Sequence, residues 1–267
     1  MSHTRLALHG GESVKKTAFG TGKRFGLEEA RELLEALEQN TLFYHFGEKV
    51  KKFLADFNDM YQVRYSVATS SGTAALHVAL GAAGVTAGDE VITSPITDQG
   101  TVIGILYQNA VPVFADLDPH SYNMTAENIE KKITAKTKAI LVVHLAGNPC
   151  DMDPIIALAK KHGLYVIEDC AQAHGAKYKG KPVGSFGDVA AFSFCQDKIM
   201  STGGEGGMLV TNSKALWEKA WSFKDHGKSY AAMFEQSHPP GFRWVHESIG
   251  TNWRMTEMQA AIGRIQL

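Results

Sequence analysis

Three places along the chain put reactive side chains where a short apolar run gives way to a turn. "YSVATSSGTAALHVAL" passes from a strand-like run through Ser70, Ser71, Gly72 and Thr73 into an alanine-rich helical stretch. "LYVIED" ends on Glu168 and Asp169, and "AAFSFCQDK" ends on Cys195, Gln196, Asp197 and Lys198, just ahead of "GGEGG". A hydroxyl- and glycine-rich turn at a helix start offers free backbone N–H groups and the positive end of the helix dipole to a phosphate. The same residues also make an ordinary N-cap, and a charged residue at a strand end is often simply solvated. Taken together the three match pyridoxal 5'-phosphate (PLP), which needs a lysine for its imine, a carboxylate to keep the pyridine nitrogen protonated, and a helix N-terminus for its phosphate. On this reading Lys198 forms the Schiff base, Asp169 faces the ring nitrogen and the turn at Gly72 and Thr73 takes the phosphate. An unperturbed lysine titrates near about 10.4 and is a poor nucleophile at neutral pH, so the site must depress it or keep it engaged. The "GGEGG" glycines are expected to let the backbone pass close to the cofactor and the loop swing as Lys198 is released.

The elements that must position these groups follow from periodicity. "LEEARELLEALEQN", residues 27–40, has helical spacing at Leu27, Leu33, Leu34 and Leu37 and reads as an amphipathic helix; "GEKVKKFLADFNDMY" reads as a second. "GDEVITS", "VPVFADLD", "KAILVVHLAG", "LYVIED" and "AAFSF" are short Val/Ile/Phe-rich runs separated by turns or helical stretches such as "DPIIALAKKHG". Strands alternating with helices predict an α/β fold with a mostly parallel sheet covered on both faces, whose ligands gather beyond the carboxyl ends of the strands. The proline- and glycine-rich "SHPPGF" at 237–242 is expected to be a loop.

With 267 residues, 44% of them hydrophobic, the chain can bury a large core. Lys and Arg total 27 against 28 Asp and Glu, a net charge of -1, so no basic field for nucleic acid or anionic lipid is expected. The N-terminal stretch carries no apolar leader and no window reaches 18 apolar residues, which makes a soluble cytoplasmic protein the expectation. Cys150, Cys170 and Cys195 form no CxxC pair and read as reduced packing residues, and no metal site is expected. The sequon at Asn123 reads as accidental. "GTGK" at 20–23 lacks the spacing of a phosphate-binding P-loop. His174 and His226 are read as structural, since the released lysine can itself carry the proton.

"SSGTAALHVAL", "IEDCAQAHGA", "FSFCQDKIMSTGGEGG" and "TNWRMTEMQAAIGRIQL" stand in the order of the successive motifs of the DegT/DnrJ/EryC1/StrS family, the fold-type-I sugar aminotransferases, which the chain resembles from residue 70 to its end. The resemblance implies an aspartate-aminotransferase-like large domain at 27–267 after an N-terminal arm at 1–26. It also implies PLP-dependent transfer of an amino group from glutamate or glutamine to a nucleotide-linked keto sugar or a keto-cyclitol. Carried over by position, Lys198 would be the Schiff-base lysine and Asp169 the partner of the pyridinium. Gln172 would bond the ring's phenolic oxygen, and Ser193 would join Gly72, Thr73 and Ala74 at the phosphate. Asn252, in "TNWRM", would reach the cofactor phosphate of a neighbouring subunit, which makes a homodimer with shared sites the expected assembly; the alternative is that Asn252 caps the following helix or turn. Two departures stand out. Asp98 falls where family members commonly stack an aromatic on the pyridine, and the chain stops before the family's smaller C-terminal domain, as a truncated product or fragment would. Other readings are a fold-type-I enzyme acting on amino acids alone, which would want an arginine clamp, and a shortened paralogue that binds PLP without turnover. Family dehydratases carry histidine in place of the lysine, and Lys198 argues against them.

Overall fold

The computed structural model of the chain describes residues 5–17, 22–238 and 245–267. Helices α1 (Leu27–Glu38) and α2 (Lys49–Tyr61) come first, followed by β1 (Tyr65–Thr69), α3 (Gly72–Ala82), β2 (Glu90–Thr93), α4 (Gln99–Tyr107) and β3 (Val111–Phe114). Then come α5 (Ala126–Glu130), β4 (Thr137–Val143), α6 (Met152–His162), β5 (Tyr165–Asp169), the hairpin β6 (Lys177–Tyr178) and β7 (Lys181–Pro182), β8 (Val189–Ser193), β9 (Gly207–Thr211), α7 (Lys214–Lys224) and α8 (Glu257–Gln266). Seven strands form one sheet in the order β1-β9-β8-β5-β4-β2-β3. The pairs β2–β3, β2–β4, β4–β5 and β5–β8 are parallel, and β9 runs antiparallel to both β1 and β8. The mostly parallel sheet read from the sequence is therefore the observed one.

Side chains that alternate along each strand feed two separate faces. On one face Val67, Leu141, Ile167, Ala191 and Leu209 pack against α3 and α7. On the other, Phe192, Met208 and Val210 meet Phe53, Phe57 and Tyr61 of α2, while Ile140 and Val142 meet Ile155 and Leu158 of α6. Phe53 and Phe57 are fully buried, each worth about 1.5–3 kcal/mol of transfer free energy. β1 ends the sheet, and its outer edge is not left bare: Trp217 Nε1 donates to the Ser66 carbonyl at 3.1 Å, and Ser70 N–H donates to the Trp253 carbonyl at 2.9 Å.

The helix expected at 27–40 is present as α1, and the structure shows where its apolar side points. Three of the four leucines of α1 point away from the core of this chain: Leu27, Leu34 and Leu37 are 74%, 60% and 54% exposed, while Leu33 is half-buried and Glu29 and Ala36 are buried. The helix is held by polar contacts instead. Glu29 accepts from Gln266 Nε2 at 2.7 Å, and Glu32 pairs with the buried Lys49 at 2.8 Å and with Arg264 at 3.0 Å. Glu257 of α8 serves as the acidic cap of α2, accepting from the N–H groups of Lys49 at 2.6 Å and Val50 at 3.1 Å. The "GGEGG" glycines have a task inside the fold itself. A Cβ on Gly206 would stand 2.0 Å from Thr202 Oγ1 and one on Gly207 2.2 Å from the Ser71 carbonyl, so these glycines admit the chain's own atoms at close quarters. Of the expected loop at 237–242, only Ser237 and His238 lie among the described residues, and "GTGK" also lies partly outside them. Among the described residues no helix is long and apolar enough to cross a membrane.

Candidate active site

The carboxyl ends of β1, β2, β4, β5 and β8 surround a cavity lined by Gly72, Thr73, Thr97, Asp98, Thr101, Asp169, Gln172, Ser193 and Lys198. Six of the eight residues singled out from the sequence thus meet in one place. Ser71 caps α3, its Oγ accepting from Ala74 N–H at 3.0 Å. Gly72 and Thr73 follow the cap, where backbone N–H groups have no intrahelical acceptor, and both line the cavity. A Cβ on Gly72 would lie 2.5 Å from Ser193 Cβ. Only glycine lets the α3 turn close on β8 and bring Ser193 Oγ alongside these N–H groups. The capping reading of the turn holds, through Ser71, and it leaves the next two residues lining the cavity. Ala74 departs from the expectation: its N–H is spent on Ser71 and it does not line the cavity.

Glu168 and Asp169 are adjacent carboxylates with opposite environments, because consecutive strand residues face opposite sides of a sheet. Glu168 is fully buried and saturated: Oε1 accepts from Phe186 N–H at 2.9 Å and Gly187 N–H at 2.6 Å, and Oε2 from Gly184 N–H at 2.8 Å and His144 Nε2 at 3.0 Å. Because Cys150 N–H donates to His144 Nδ1 at 3.1 Å, the imidazole carries its proton on Nε2. Burial works to raise the Glu168 carboxyl, yet His144 and the backbone N–H groups outweigh it and hold it below the usual range. His144, Glu168 and Cys170 lie close enough to hold a metal. Their donor atoms are committed to these bonds or, for Cys170, protected by burial that keeps the thiol protonated, so the cluster is a structural clasp.

Asp169 faces the cavity. Its Oδ1 accepts from Ala171 N–H at 3.0 Å and its Oδ2 from Thr101 Oγ1 at 2.7 Å. Burial pushes this carboxyl above its ordinary value, against those two donors and with the help of the nearby Asp98 charge. A cation placed beside it would be strongly favoured. Lys198 is 18% exposed at its side chain, with Nζ 3.2 Å from Asp197 Oδ2. Gln172 is fixed by Ala146 N–H, which donates to Oε1 at 2.7 Å.

Asp98, whose carboxylate replaces an expected aromatic, has a local task. It caps α4, Oδ1 accepting from Gly100 N–H at 2.7 Å. Asn252 is exposed, stands outside the cavity and pairs through its backbone with Asp225. It caps no described helix, since α8 is capped by Thr256 in a capping box with Gln259. His174 packs edge-on against Phe192 at 5.5 Å and is held neutral by burial, its pKa lowered to about 4, as suits a structural residue. Asn123 is buried and donates through Nδ2 to the Asn148 carbonyl at 2.9 Å, which makes its sequon inaccessible.

Sequence reasoning missed Thr101, Thr97 and Arg24. A threonine in the first turn of a helix carries no signature of its function. Arg24, in the N-terminal arm, donates to the carbonyls of Gln196 and Lys198, both at 2.5 Å, and so grips the loop that carries the lysine. Gln266 holds Arg24 in turn, its Nε2 donating to the Arg24 carbonyl at 3.1 Å.

Residues 25–267 match the model of the DegT/DnrJ/EryC1/StrS aminotransferase family. The chain is 47% identical over 221 residues to GDP-perosamine synthase of Escherichia coli O157:H7, covering 83% of this chain and 58% of that protein. It is 43% identical over 242 residues to a spore coat polysaccharide biosynthesis protein of Bacillus subtilis, covering 91% of this chain and 61% of that one. The X-ray structure of an aminotransferase from Psychrobacter cryohalolentis superposes with a TM-score of 0.90 at 54% identity, covering 93% of this chain and 63% of that one. The chain therefore spans about three fifths of the length of the proteins it matches.

Proposed function

We propose, from the premise that the chain belongs to the DegT/DnrJ/EryC1/StrS aminotransferase family, that it forms the PLP-binding large domain of an aminotransferase. The donor is glutamate or glutamine and the acceptor a nucleotide-linked keto sugar or a keto-cyclitol. The observation that carries the reading is the convergence of Lys198, Asp169, Gln172, Ser193, Gly72 and Thr73 on one cavity. Residues 27–267 supply this domain, with residues 1–26 as an arm whose Arg24 bears on the lysine loop.

The residues present fit PLP. Gly72, which no larger residue can replace beside Ser193, leaves a cradle of two backbone N–H groups and one hydroxyl for a phosphate. Asp169 is a buried carboxylate whose two oxygens each keep one free lone pair beside the donor they already hold. Gln172 lies at the same wall. When bound, the cofactor supplies an electron sink that lets the α-hydrogen of an amino acid leave as a proton. Lys198 is the anchor and, once released, the group that takes up that proton and returns it; Arg24 limits where its loop can go. Asp169 stabilises positive charge at the ring nitrogen throughout, which a low-dielectric setting makes more effective than the same contact in water.

Two features support a dimer with shared sites. Asn252 is exposed and bridged through its backbone to Asp225 without facing its own cavity. Leu34, Leu37, Phe46 and Ile199 are exposed apolar residues, of a kind that a second subunit covers. The test of the function is incubation of the protein with PLP and borohydride, then peptide mass mapping, alongside assay of keto acid released from glutamine or glutamate. Labelling of Lys198 with stoichiometric keto acid is the expected result. Labelling without keto acid would leave a PLP-binding protein without transamination, and no labelling would refute the cofactor.

A further inference from the structure

The carboxylate of Asp169 does not stand alone. Thr101 Oγ1 lies 2.7 Å from Asp169 Oδ2, and Thr97 Oγ1 lies 2.7 Å from Thr101 Oγ1. An ionised carboxylate only accepts hydrogen bonds, so Thr101 must give its single hydroxyl proton to Asp169. Thr101 can then only accept from Thr97, and the chain of donors runs in one direction, from Thr97 at the cavity wall through Thr101 to Asp169.

Thr101 is 1% exposed, which removes bulk water as an alternative partner. It sits in the first turn of α4, whose geometry is set by Asp98: the Asp98 carbonyl accepts from Thr101 N–H at 3.1 Å and its side chain caps Gly100. Gly100 brings this turn against α3, since a Cβ there would stand 2.6 Å from Thr73 Oγ1. The β-branched side chain has few rotamers in a helix, so a fixed turn means a fixed hydroxyl.

We propose that Thr101, aligned by Thr97, is the positioning residue for Asp169: it pins Oδ2 and keeps the carboxylate ionised and turned so that its remaining lone pairs meet the ring nitrogen of the cofactor. The inference rests on the PLP reading above. It also accounts for Asp98, whose cap on α4 aims Thr101.

The test compares wild type, Thr101→Val, Thr101→Ser and Thr97→Val, each loaded with PLP labelled with 15N at the ring nitrogen. Valine keeps the shape of threonine and removes the donor; serine keeps the donor. Borohydride labelling of Lys198 is expected in all four. The 15N resonance is expected to move toward neutral pyridine in Thr101→Val, to move less in Thr97→Val and to stay in place in Thr101→Ser. Keto acid release should slow about tenfold to a hundredfold in Thr101→Val, the effect of one hydrogen bond to a charged group. An unchanged 15N resonance in labelled Thr101→Val overturns the inference alone. Should that variant fail to fold, an unchanged resonance in Thr97→Val overturns it. Absence of Lys198 labelling in the wild type overturns the cofactor reading and this inference with it.

Discussion

Replacing Glu168 by glutamine should destabilise the protein far more than replacing its neighbour Asp169 by asparagine, although both remove one buried charge. Each Glu168 oxygen accepts two donors: Phe186 and Gly187 N–H at Oε1, Gly184 N–H and His144 Nε2 at Oε2. A glutamine can satisfy only one of these pairs, because its NH2 group must face the other two donors. His144 cannot relieve the conflict by moving its proton to Nδ1, where Cys150 N–H already donates. Two hydrogen bonds to a charged group are lost, at about 1.5–3 kcal/mol each, or about 3–6 kcal/mol in all. Against a typical stability of about 5–15 kcal/mol, that is a large fraction, and it corresponds to a melting point lower by roughly 6–24 °C. Asp169 behaves in the opposite sense. Its carboxyl is raised in the folded state, so between the unfolded and folded values the folded protein holds a proton that the unfolded chain has lost; stability falls as pH rises through that window and stays lower above it. Asp169→Asn removes this penalty, and without PLP at neutral pH it should be at least as stable as wild type, the gap closing below the ordinary aspartate pKa. Glu168 has a depressed carboxyl, so its contribution is present above the unfolded value and lost as pH falls through the folded one. Urea unfolding followed by circular dichroism, across pH and without PLP, measures both. A Glu168→Gln midpoint no lower than that of Asp169→Asn would refute the division of roles.

Lys198→Ala should abolish the borohydride-fixed link to PLP while leaving residual binding through Gly72, Thr73 and Ser193; mass mapping that finds a new labelled lysine would contradict the assignment. Arg24→Ala should raise hydrogen exchange at the amides of 195–198 and slow Lys198 labelling with little change in melting point, because it frees two carbonyls of an exposed loop; Arg24→Lys should restore only part of the protection, lacking the two-armed geometry. His77, lowered to about 4 by burial and bonded to Trp253 Nε1 at 3.1 Å, should stay neutral when NMR follows it down from pH 6.5, and its contribution to stability should decline as pH falls from there toward 4. Asn252→Ala should weaken PLP retention about tenfold to a hundredfold in a dimer without removing the Lys198 link; a sedimenting monomer that holds PLP tightly would refute the shared site.

What the sequence reveals and conceals follows from how far each signal reaches along the chain. The alternation of apolar runs with turns is local, and it located the strands whose carboxyl ends meet at the cavity. Lys198, Asp169, Gly72 and Thr73 sit at those ends, so the topology itself collected them. The choice between Glu168 and Asp169 turns on which side of β5 faces the cavity, and Asp169 lies on that side. Thr101 was illegible because its role depends on a carboxylate 68 residues away, and Arg24 because its acceptors are backbone carbonyls, which leave no mark on residue identity. Asp98 shows the converse. Its departure from an aromatic is plain in the sequence, yet its meaning appears only when the α4 turn is seen to carry Thr101.

The α1 helix exposes the limit of periodicity most clearly. Its leucine stripe is a sound reading of helical spacing, but spacing specifies that a face is apolar without specifying what covers it. Here α8 and α2 hold the other side of the helix through Gln266, Arg264 and Lys49, so the polar residues became the intramolecular contact and Leu27, Leu34 and Leu37 were left outward. A helix fixed to its own domain by partly buried ion pairs, with an apolar stripe on its free side, is already oriented for a partner before any partner arrives. Replacing Leu34 and Leu37 together by glutamine should therefore leave the melting point nearly unchanged at dilute protein and reduce self-association. If the double variant unfolds as a monomer well below the wild type, the stripe belongs to the domain's own stability and this reasoning fails.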